Sequence, residues 1–248
     1  MILSDFHLHT TFSDGANTPE EMVQVAIQKG FTHIGFSDHA YTPFDESCCM
    51  AKAAKVDYIQ TVSALKSKYA DKIAVFCGIE QDYYSTESTD GYDYVIGSVH
   101  YVKVGDTYLA VDESKTAFTD AVERYFDGDT LRFAEVYFAT VAKVAERTGA
   151  DMIGHFDLIA KFNDSGLFDT SAPRYIRAWQ AAADALLAAG IPFEINTGAI
   201  SRGYTKHPYP AREIIDYLKA RGAKFILSGD AHTAAGIGYQ FDRWEGLL

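Results

Sequence analysis

The chain has 248 residues, of which 48% are hydrophobic and 23% are charged, and its formal net charge is -12. This composition is typical of a globular protein with a substantial buried core, and it excludes a disordered chain. The acidic balance and the lack of a Lys/Arg cluster disfavour duplex nucleic acid as a partner, and the apolar runs are far shorter than the roughly 20 residues of a membrane-spanning helix.

The N-terminal segment and the cysteines favour a cytoplasmic protein. The segment MILSDFHLHT lacks the basic region and the apolar stretch of a secretory signal. Three cysteines, two of them adjacent at Cys48 and Cys49, do not make a disulfide framework. We therefore expect a cytoplasmic localisation, reduced thiols and no association with a membrane.

Short apolar runs typical of β-strands alternate with amphipathic segments typical of helices along the whole chain. Seven strand-like runs are predicted, over residues 1–6, 32–37, 73–79, 94–99, 151–154, 191–196 and 224–228. Helices are predicted over residues 18–30, 56–69, 115–125, 130–147, 173–189 and 210–221, and a β-hairpin over residues 101–111.

This alternation predicts a parallel α/β fold. No linker rich in Pro, Gly or Ser and no shift in composition divides the chain, so we expect a single domain over residues 1–248. A parallel α/β barrel fits the order of elements best. A doubly wound open sheet is the alternative, because the number of strands alone does not prove that the sheet closes.

Histidines cluster at one end of the predicted strands. Six of the eight histidines stand at the C-terminal end of an apolar run, where chance would place about one, and barrel enzymes keep their catalytic residues at this edge. Glu80 and Asp230 occupy equivalent positions, and Asp14 follows in the loop after the first run. The clustered residues are His7, His9, Asp14, His39, Glu80, His100, His155, Asp230 and His232.

These residue types point to a catalytic metal centre. Successive side chains of a strand point to opposite faces, so His7 and His9 lie on one face, as do Asp230 and His232. Neutral imidazoles with carboxylates bind zinc, manganese or iron at catalytic centres, whereas closed structural zinc sites rely on thiolates. One ion needs three or four protein ligands, so nine candidates suffice for two or three divalent ions.

The motifs around these residues resemble those of the polymerase and histidinol phosphatase (PHP) superfamily. The matching segments are HLHTTFSDG (7–15), SDH (37–39), GIE (78–80), GSVH (97–100), GHFDL (154–158) and GDAH (229–232). Their order over residues 6–233 is similar to that of the stand-alone histidinol-phosphate phosphatases. The resemblance implies a distorted, TIM-like (β/α)7 barrel with a trinuclear metal site.

Carried over residue by residue, the resemblance implies a ligand set for each of three ions. The first ion would be held by His7, His9, Glu80 and Asp230. The second would be held by Glu80, as a bridge, with His100 and His155. The third would be held by Asp14, His39 and His232. Some members of the family have a histidine at the position of Asp14.

Two cations in loops after strand ends are candidates for binding a phosphoryl group. Three divalent ions with three ligand carboxylates would give a site of about +3, which attracts a phosphate monoester dianion. Lys161 and Arg202 each lie in a loop that leaves a strand end, and we predict that they bind the phosphate during catalysis. A solvated surface charge is the alternative for each. Asn196, His207 and Tyr83 are further candidates for substrate contact.

This site favours hydrolysis of a phosphomonoester, because paired divalent ions activate water and neutralise charge on the transferring phosphoryl group. The resemblance implies hydrolysis of L-histidinol phosphate to L-histidinol and phosphate, in histidine biosynthesis. One alternative is a PHP phosphoesterase that acts on another small monoester, on phosphotyrosine or on nucleotides. The other is a non-catalytic, metal-stabilised module. The expected partner is thus a small phosphomonoester, and the sequence does not predict an oligomeric state.

Overall fold

The structure of the protein is a computed structural model that describes residues 3–248, so the first two residues of the first predicted run lie outside it. The strands are β1 (Ser4–Asp5), β2 (His33–Phe36), β3 (Ala74–Asp82), β4 (Tyr94–Ser98), β5 (Tyr101–Val104), β6 (Thr107–Ala110), β7 (Met152–Ile153), β8 (Phe193–Asn196) and β9 (Phe225–Ser228). All seven predicted strands that would build the barrel are therefore present within the described residues.

The helices surround these strands. They are α1 (Pro19–Gln28), α2 (Lys55–Lys68), α3 (Lys115–Tyr125), α4 (Thr130–Val141), α5 (Val144–Thr148), α6 (Pro173–Ala189), α7 (Gly198–Ser201), α8 (Arg212–Lys219) and α9 (Phe241–Trp244). Short 3-10 helices lie at Lys52–Ala54, Leu158–Ala160, Asn163–Ser165, Ala234–Gly236 and Glu245–Leu247. None of the helices described over residues 3–248 is both long and apolar enough to cross a membrane.

Seven strands form one parallel sheet in the order β1-β2-β3-β4-β7-β8-β9. Beyond the ends of the two outer strands, a parallel bridge joins Leu8 to Ala231, and the Ala231 amide donates to the His7 carbonyl at 3.0 Å. This bridge links β9 back to β1. The predicted distorted seven-stranded barrel is therefore confirmed, and the open doubly wound sheet is wrong.

Local sequence signals place most elements near their predicted bounds. The Thr18 side chain and the Glu21 carboxylate form a reciprocal capping box at the start of α1. The hairpin of β5 and β6 turns at Gly105, whose φ of 58° lies in the left-handed region that favours glycine. The single helix predicted over residues 130–147 is instead two helices, α4 and α5. Neither Gly nor Pro marks this break, so the periodicity continues through it.

Apolar side chains fill the space between sheet and helices, which leaves the strand ends to polar groups. Phe133, Phe138 and Phe193 are fully buried between the sheet and the helices that follow β6. The Tyr94 hydroxyl donates to the carbonyls of Phe6 and Phe36 at 2.6 and 3.0 Å. These contacts tie β4 to the chain that leaves β1 and β2, and so hold the barrel rigid beneath the strand ends.

Candidate metal centre

Glu80 lies at the centre of the clustered strand-end residues. Its Oε2 atom is 2.9 Å from His39 Nδ1 and 3.3 Å from His7 Nε2. Its Oε1 atom is 2.8 Å from His155 Nε2 and 3.5 Å from His100 Nε2. The Glu80 side chain is fully buried, so one carboxylate contacts histidines that follow four different strands.

Asp230, which follows β9, forms a second point of convergence. Its Oδ1 atom is 3.3 Å from His9 Nε2 and 3.4 Å from His232 Nδ1. Its Oδ2 atom accepts hydrogen bonds from Arg202 Nη2 at 3.1 Å and from Asn196 Nδ2 at 3.2 Å. The φ of Asp230 is 42°, in the left-handed region that non-glycine residues rarely adopt. Local strain of this kind is common at functional sites, where surrounding contacts hold the residue in place.

Asp14 brings the loop after β1 to the same cluster. Its Oδ1 atom is 3.8 Å from both His9 Nδ1 and His39 Nε2, and its Oδ2 atom is 3.3 Å from His232 Nε2. The structure therefore brings all nine residues into one connected group. Three sets have ligand atoms within 4.8 Å of one another: His9, Asp14, His39 and His232; His7, His9 and Asp230; and His39, Glu80 and His100.

These sets overlap more than the three ligand sets that the family resemblance implies. His9 belongs to two sets, because its two ring nitrogens face different carboxylates. His39 joins Glu80 and His100 as well as Asp14. His155 contacts Glu80 but belongs to none of the three sets among the described residues. The division of ligands among ions stays a prediction.

Several buried polar atoms of this cluster suit a cation. His7 Nε2, both ring nitrogens of His9 and Glu80 Oε2 have no hydrogen-bond partner within residues 3–248. Such atoms cost free energy when they are buried without a partner. Imidazole nitrogens and carboxylate oxygens are the donors that divalent transition metals bind at catalytic centres. The residues present therefore fit metal ions of this class.

The charges of the cluster keep the carboxylates ionised. Burial alone would raise the pKa of Glu80, but the neighbouring histidines, His39 first, hold it well below its usual range. Burial would likewise raise the pKa of Asp230, and the Arg202 guanidinium outweighs it and lowers that pKa strongly. Burial also lowers the pKa of His9 to about 3, so its ring is neutral and one of its nitrogens offers a lone pair to a cation.

The sequence did not predict Glu194, a fully buried carboxylate in β8 that orients two of these histidines. Its Oε2 atom accepts from His7 Nδ1 at 2.8 Å. Its Oε1 atom accepts from the main-chain amide of His155 and from Asn196 Nδ2, the latter at 2.8 Å. A charged residue inside the otherwise apolar run IPFEIN was the signal that would have revealed it.

Two further carboxylates that the sequence did not predict hold neighbouring parts of the site. Asp82 accepts from the His100 main-chain amide at 2.9 Å and lies 3.3 Å from His100 Nδ1. Asp38 accepts from the Thr10 hydroxyl at 2.9 Å and from the Ser13 hydroxyl at 2.6 Å. Because Ser13 precedes Asp14, Asp38 fixes the loop that carries Asp14. Hydrogen bonds of this kind orient ligand side chains in metal sites.

A cavity of about 330 Å³ opens beside the cluster and contains both predicted phosphate-binding cations in its lining. Lys161 Nζ donates to the Asp112 carbonyl at 2.8 Å and to Asp112 Oδ2 at 3.0 Å. Arg202 donates to a ring nitrogen of His232 at 2.6 Å as well as to Asp230. Each cation therefore lies at the cavity with an anionic partner beside it.

The other three predicted substrate-contacting residues lie elsewhere. His207, Tyr83 and Asn196 are not among the residues that line the cavity. His207 is exposed, and the Tyr83 ring packs 4.9 Å from that of Tyr84. Asn196 is fully buried, and its side-chain amide donates hydrogen bonds to the carboxylates of Glu194 and Asp230. Asn196 thus holds other site residues in place, and its contact with a substrate stays a prediction.

Known proteins are similar to this chain over most of its length. The PHP domain family matches residues 5–198. A Deinococcus radiodurans protein assigned as a histidinol-phosphatase is 30% identical over 96% of this chain and 90% of that protein. The Bacillus subtilis histidinol-phosphatase is 27% identical over 96% of each chain.

Solved structures share the fold, and among them is the histidinol phosphate phosphatase of Lactococcus lactis, in complex with zinc, L-histidinol and phosphate. Its chain matches this one with a TM-score of 0.74 at 22% identity, covering 98% of this chain and 91% of that chain. The similarity therefore extends over nearly the whole of both barrels.

Proposed function

This chain belongs to the PHP domain family, and we propose that it is a metal-dependent phosphomonoester hydrolase that converts L-histidinol phosphate and water to L-histidinol and phosphate. The observation that carries the proposal is the buried group of imidazoles and carboxylates beside a cavity with two cations in its wall. We place the reaction, a step of histidine biosynthesis, in the cytoplasm, with a small molecule as substrate.

We place two or three divalent ions of zinc, manganese or iron in the cluster. Bound there, such ions activate water and neutralise charge on a phosphoryl group. The residues that would hold them are His7, His9, Glu80 and Asp230 for the first ion, Glu80, His100 and His155 for the second, and Asp14, His39 and His232 for the third.

The chain's own residues prepare these ligands. His7 Nδ1 donates a hydrogen bond to Glu194, so Nε2 faces Glu80 and Asp230 and is the nitrogen that a cation binds once its own proton is lost. Glu80 and Asp230 are ionised near neutral pH, so protons do not compete with a cation for their oxygens. Six strand ends thus hold the ligands in one arrangement before any ion binds.

The two cavity cations bind the phosphate. Arg202 carries a planar fork of donors that matches two phosphoryl oxygens, and Lys161 adds a point charge from the neighbouring loop. Both side chains already lie at the cavity wall beside the cluster. They therefore orient the phosphoryl group and stabilise the charge that it carries in the transition state.

The size of the cavity favours a small monoester. A volume of about 330 Å³ is at the lower end of the range for small-molecule sites. Phosphotyrosine and nucleotides are the alternative substrates within the same chemistry. A non-catalytic, metal-stabilised module is the alternative of a different class.

The test compares kcat/KM for L-histidinol phosphate, phosphotyrosine and a nucleoside monophosphate after reconstitution with zinc, manganese or iron. We expect L-histidinol phosphate to be preferred. A preference for phosphotyrosine or the nucleotide would replace the proposed substrate while keeping the reaction. A fully metallated protein that hydrolyses none of the three would support the non-catalytic module.

A further inference from the structure

The ion pair of Lys161 and Asp112 forms part of the cavity wall. Lys161 follows the 3-10 helix after β7, and Asp112 lies just beyond β6. The side chains are 11% and 25% exposed, so the pair is largely shielded from water. Lys161 Nζ also lies 4.8 Å from the centre of the Tyr204 ring, which helps to keep it at the cavity.

In the free protein, Asp112 therefore already pairs with Lys161, the lysine that a phosphate would need. Burial alone would raise the pKa of Asp112, but Lys161 and then His100 outweigh it and lower that pKa. Asp112 is thus ionised whenever the pair is formed. A phosphate that draws Lys161 away leaves this carboxylate shielded and unpaired, which is costly.

An amino-alcohol phosphate resolves this conflict. In L-histidinol phosphate, the carbon that bears the ammonium group is bonded to the carbon that bears the phosphate ester oxygen. The substrate therefore presents a negative and a positive group close together, as the pair of Lys161 and Asp112 does. A phosphomonoester without a neighbouring cation presents only the negative group.

We propose that the Lys161–Asp112 ion pair selects phosphomonoesters that carry an ammonium group next to the phosphate. The phosphate takes Lys161 and the ammonium group takes Asp112, so one ion pair is exchanged for two. Esters without the cation are disfavoured because they leave the Asp112 carboxylate without a cationic partner. This inference rests on the proposed function and names the residue that recognises the leaving group.

The other carboxylates near this wall differ from Asp112. Asp45 already accepts from the Tyr101 hydroxyl at 2.7 Å and from the Ser47 hydroxyl at 2.6 Å. Glu113 is exposed and lines the same cavity, and among the described residues the ion pair of Lys161 is with Asp112 and not with Glu113. Glu113 is therefore a matched control for loss of one negative charge at this wall.

The experiment measures kcat/KM of the metal-loaded enzyme on L-histidinol phosphate and on its des-amino analogue, in which hydrogen replaces the amino group. The wild type should prefer L-histidinol phosphate by about 10- to 100-fold. Asp112→Asn should bring the two values within about threefold, through a loss on L-histidinol phosphate and no loss on the analogue. Glu113→Gln should keep the wild-type ratio within about twofold.

If Asp112 had a merely structural role, its substitution would lower kcat/KM on both substrates together and leave the ratio of the two values unchanged. An unchanged ratio in Asp112→Asn, or an equal collapse of the ratio in Glu113→Gln, would overturn the inference. If the wild type hydrolyses both compounds equally well, the selection is wrong while the phosphatase activity stands. If it hydrolyses the analogue but not L-histidinol phosphate, the proposed function itself fails.

A second measurement needs no variant. Inorganic phosphate and L-histidinol together mimic the two charged ends of the substrate, so each should strengthen the binding of the other in the wild type by about fivefold or more. Inhibition by phosphate, titrated with and without L-histidinol, gives this coupling. Independent binding of the two compounds to the wild-type holoenzyme would overturn the proposal even if Asp112→Asn failed to fold.

Discussion

Glu80 contacts five histidines with one buried carboxylate, so its substitution should affect the whole centre. Glu80→Gln keeps the volume of the side chain and removes its charge. We expect it to lower both metal content and kcat/KM by about 10- to 100-fold, and by more than His39→Ala does. Elemental analysis together with steady-state kinetics checks both quantities. Near-normal values for Glu80→Gln, with a defective His39→Ala, would contradict the bridging role.

Arg202 is expected to bind the phosphoryl group directly. Arg202→Ala should raise the activation free energy by about 2–4 kcal/mol, which lowers kcat/KM roughly 30- to 1000-fold. The loss should be the same on L-histidinol phosphate and on an aryl phosphate. Arg202→Lys should recover part of the loss, because a point charge replaces a planar fork.

Metal content must be measured in the same Arg202 variants, because Arg202 also donates to Asp230 and His232. A loss on L-histidinol phosphate alone would assign Arg202 to recognition of the leaving group. No loss on either substrate would show that the guanidinium only supports its two neighbours.

At the scale of the elements, β8 contributes Glu194 beneath the ligands of β1 and β7. Glu194→Gln replaces the charged carboxylate that accepts a hydrogen bond from His7 Nδ1 with a neutral amide. We therefore expect metal affinity to fall by about 10- to 100-fold. Competition with a chelator measures that affinity without reference to turnover.

Asp157→Asn serves as the control for this change. Asp157 is also fully buried, and its carboxylate accepts from the main-chain amide of Ala211. Its substitution should lower the free energy of unfolding and leave the chelator competition unchanged. Equal loss of metal affinity in the two variants would mean that Glu194 acts through general packing and not through His7.

For the whole molecule, the histidines predict opposite effects of pH on metal binding and on the metal-free fold. Burial would lower the pKa of His100, but Glu80 and then Asp82 outweigh it and raise that pKa to about 9. The Glu194 charge likewise raises the pKa of His7 well above its usual range, against the effect of burial. His100 therefore keeps its proton up to about pH 9, His7 keeps its proton to a higher pH than a free imidazole, and both protons compete with a cation.

Two trends follow with rising pH. Zinc affinity should increase between about pH 6 and pH 9, because the ring nitrogens lose their protons. The metal-free protein should lose stability over the same range. A pKa that folding raises contributes stability that is complete below the unfolded value, about 6.5, and is lost as pH rises through the folded value. Chelator competition and denaturant unfolding at several pH values test both trends, and a flat zinc affinity would contradict them.

The sequence by itself determined the parallel α/β arrangement and the membership of the cluster. Both follow from local rules: apolar runs of strand length alternate with helical periodicity, and polar residues recur where each run ends. His7, Glu80 and Asp230 were identified in this way because parallel strands bring their C-terminal ends to one edge. Lys161 and Arg202 were placed near that edge by the same argument.

Only the tertiary structure decided the partners of those residues. Glu194 contacts His7 across 187 positions of sequence, and Asp112 contacts Lys161 across 49. His207 and Asn196 lie near the predicted edge in sequence, yet one faces solvent and the other is buried among carboxylates. The physical reason is that strand periodicity fixes which end of a strand carries a residue. Which side chains meet there depends on closure of the barrel and on the paths of its loops.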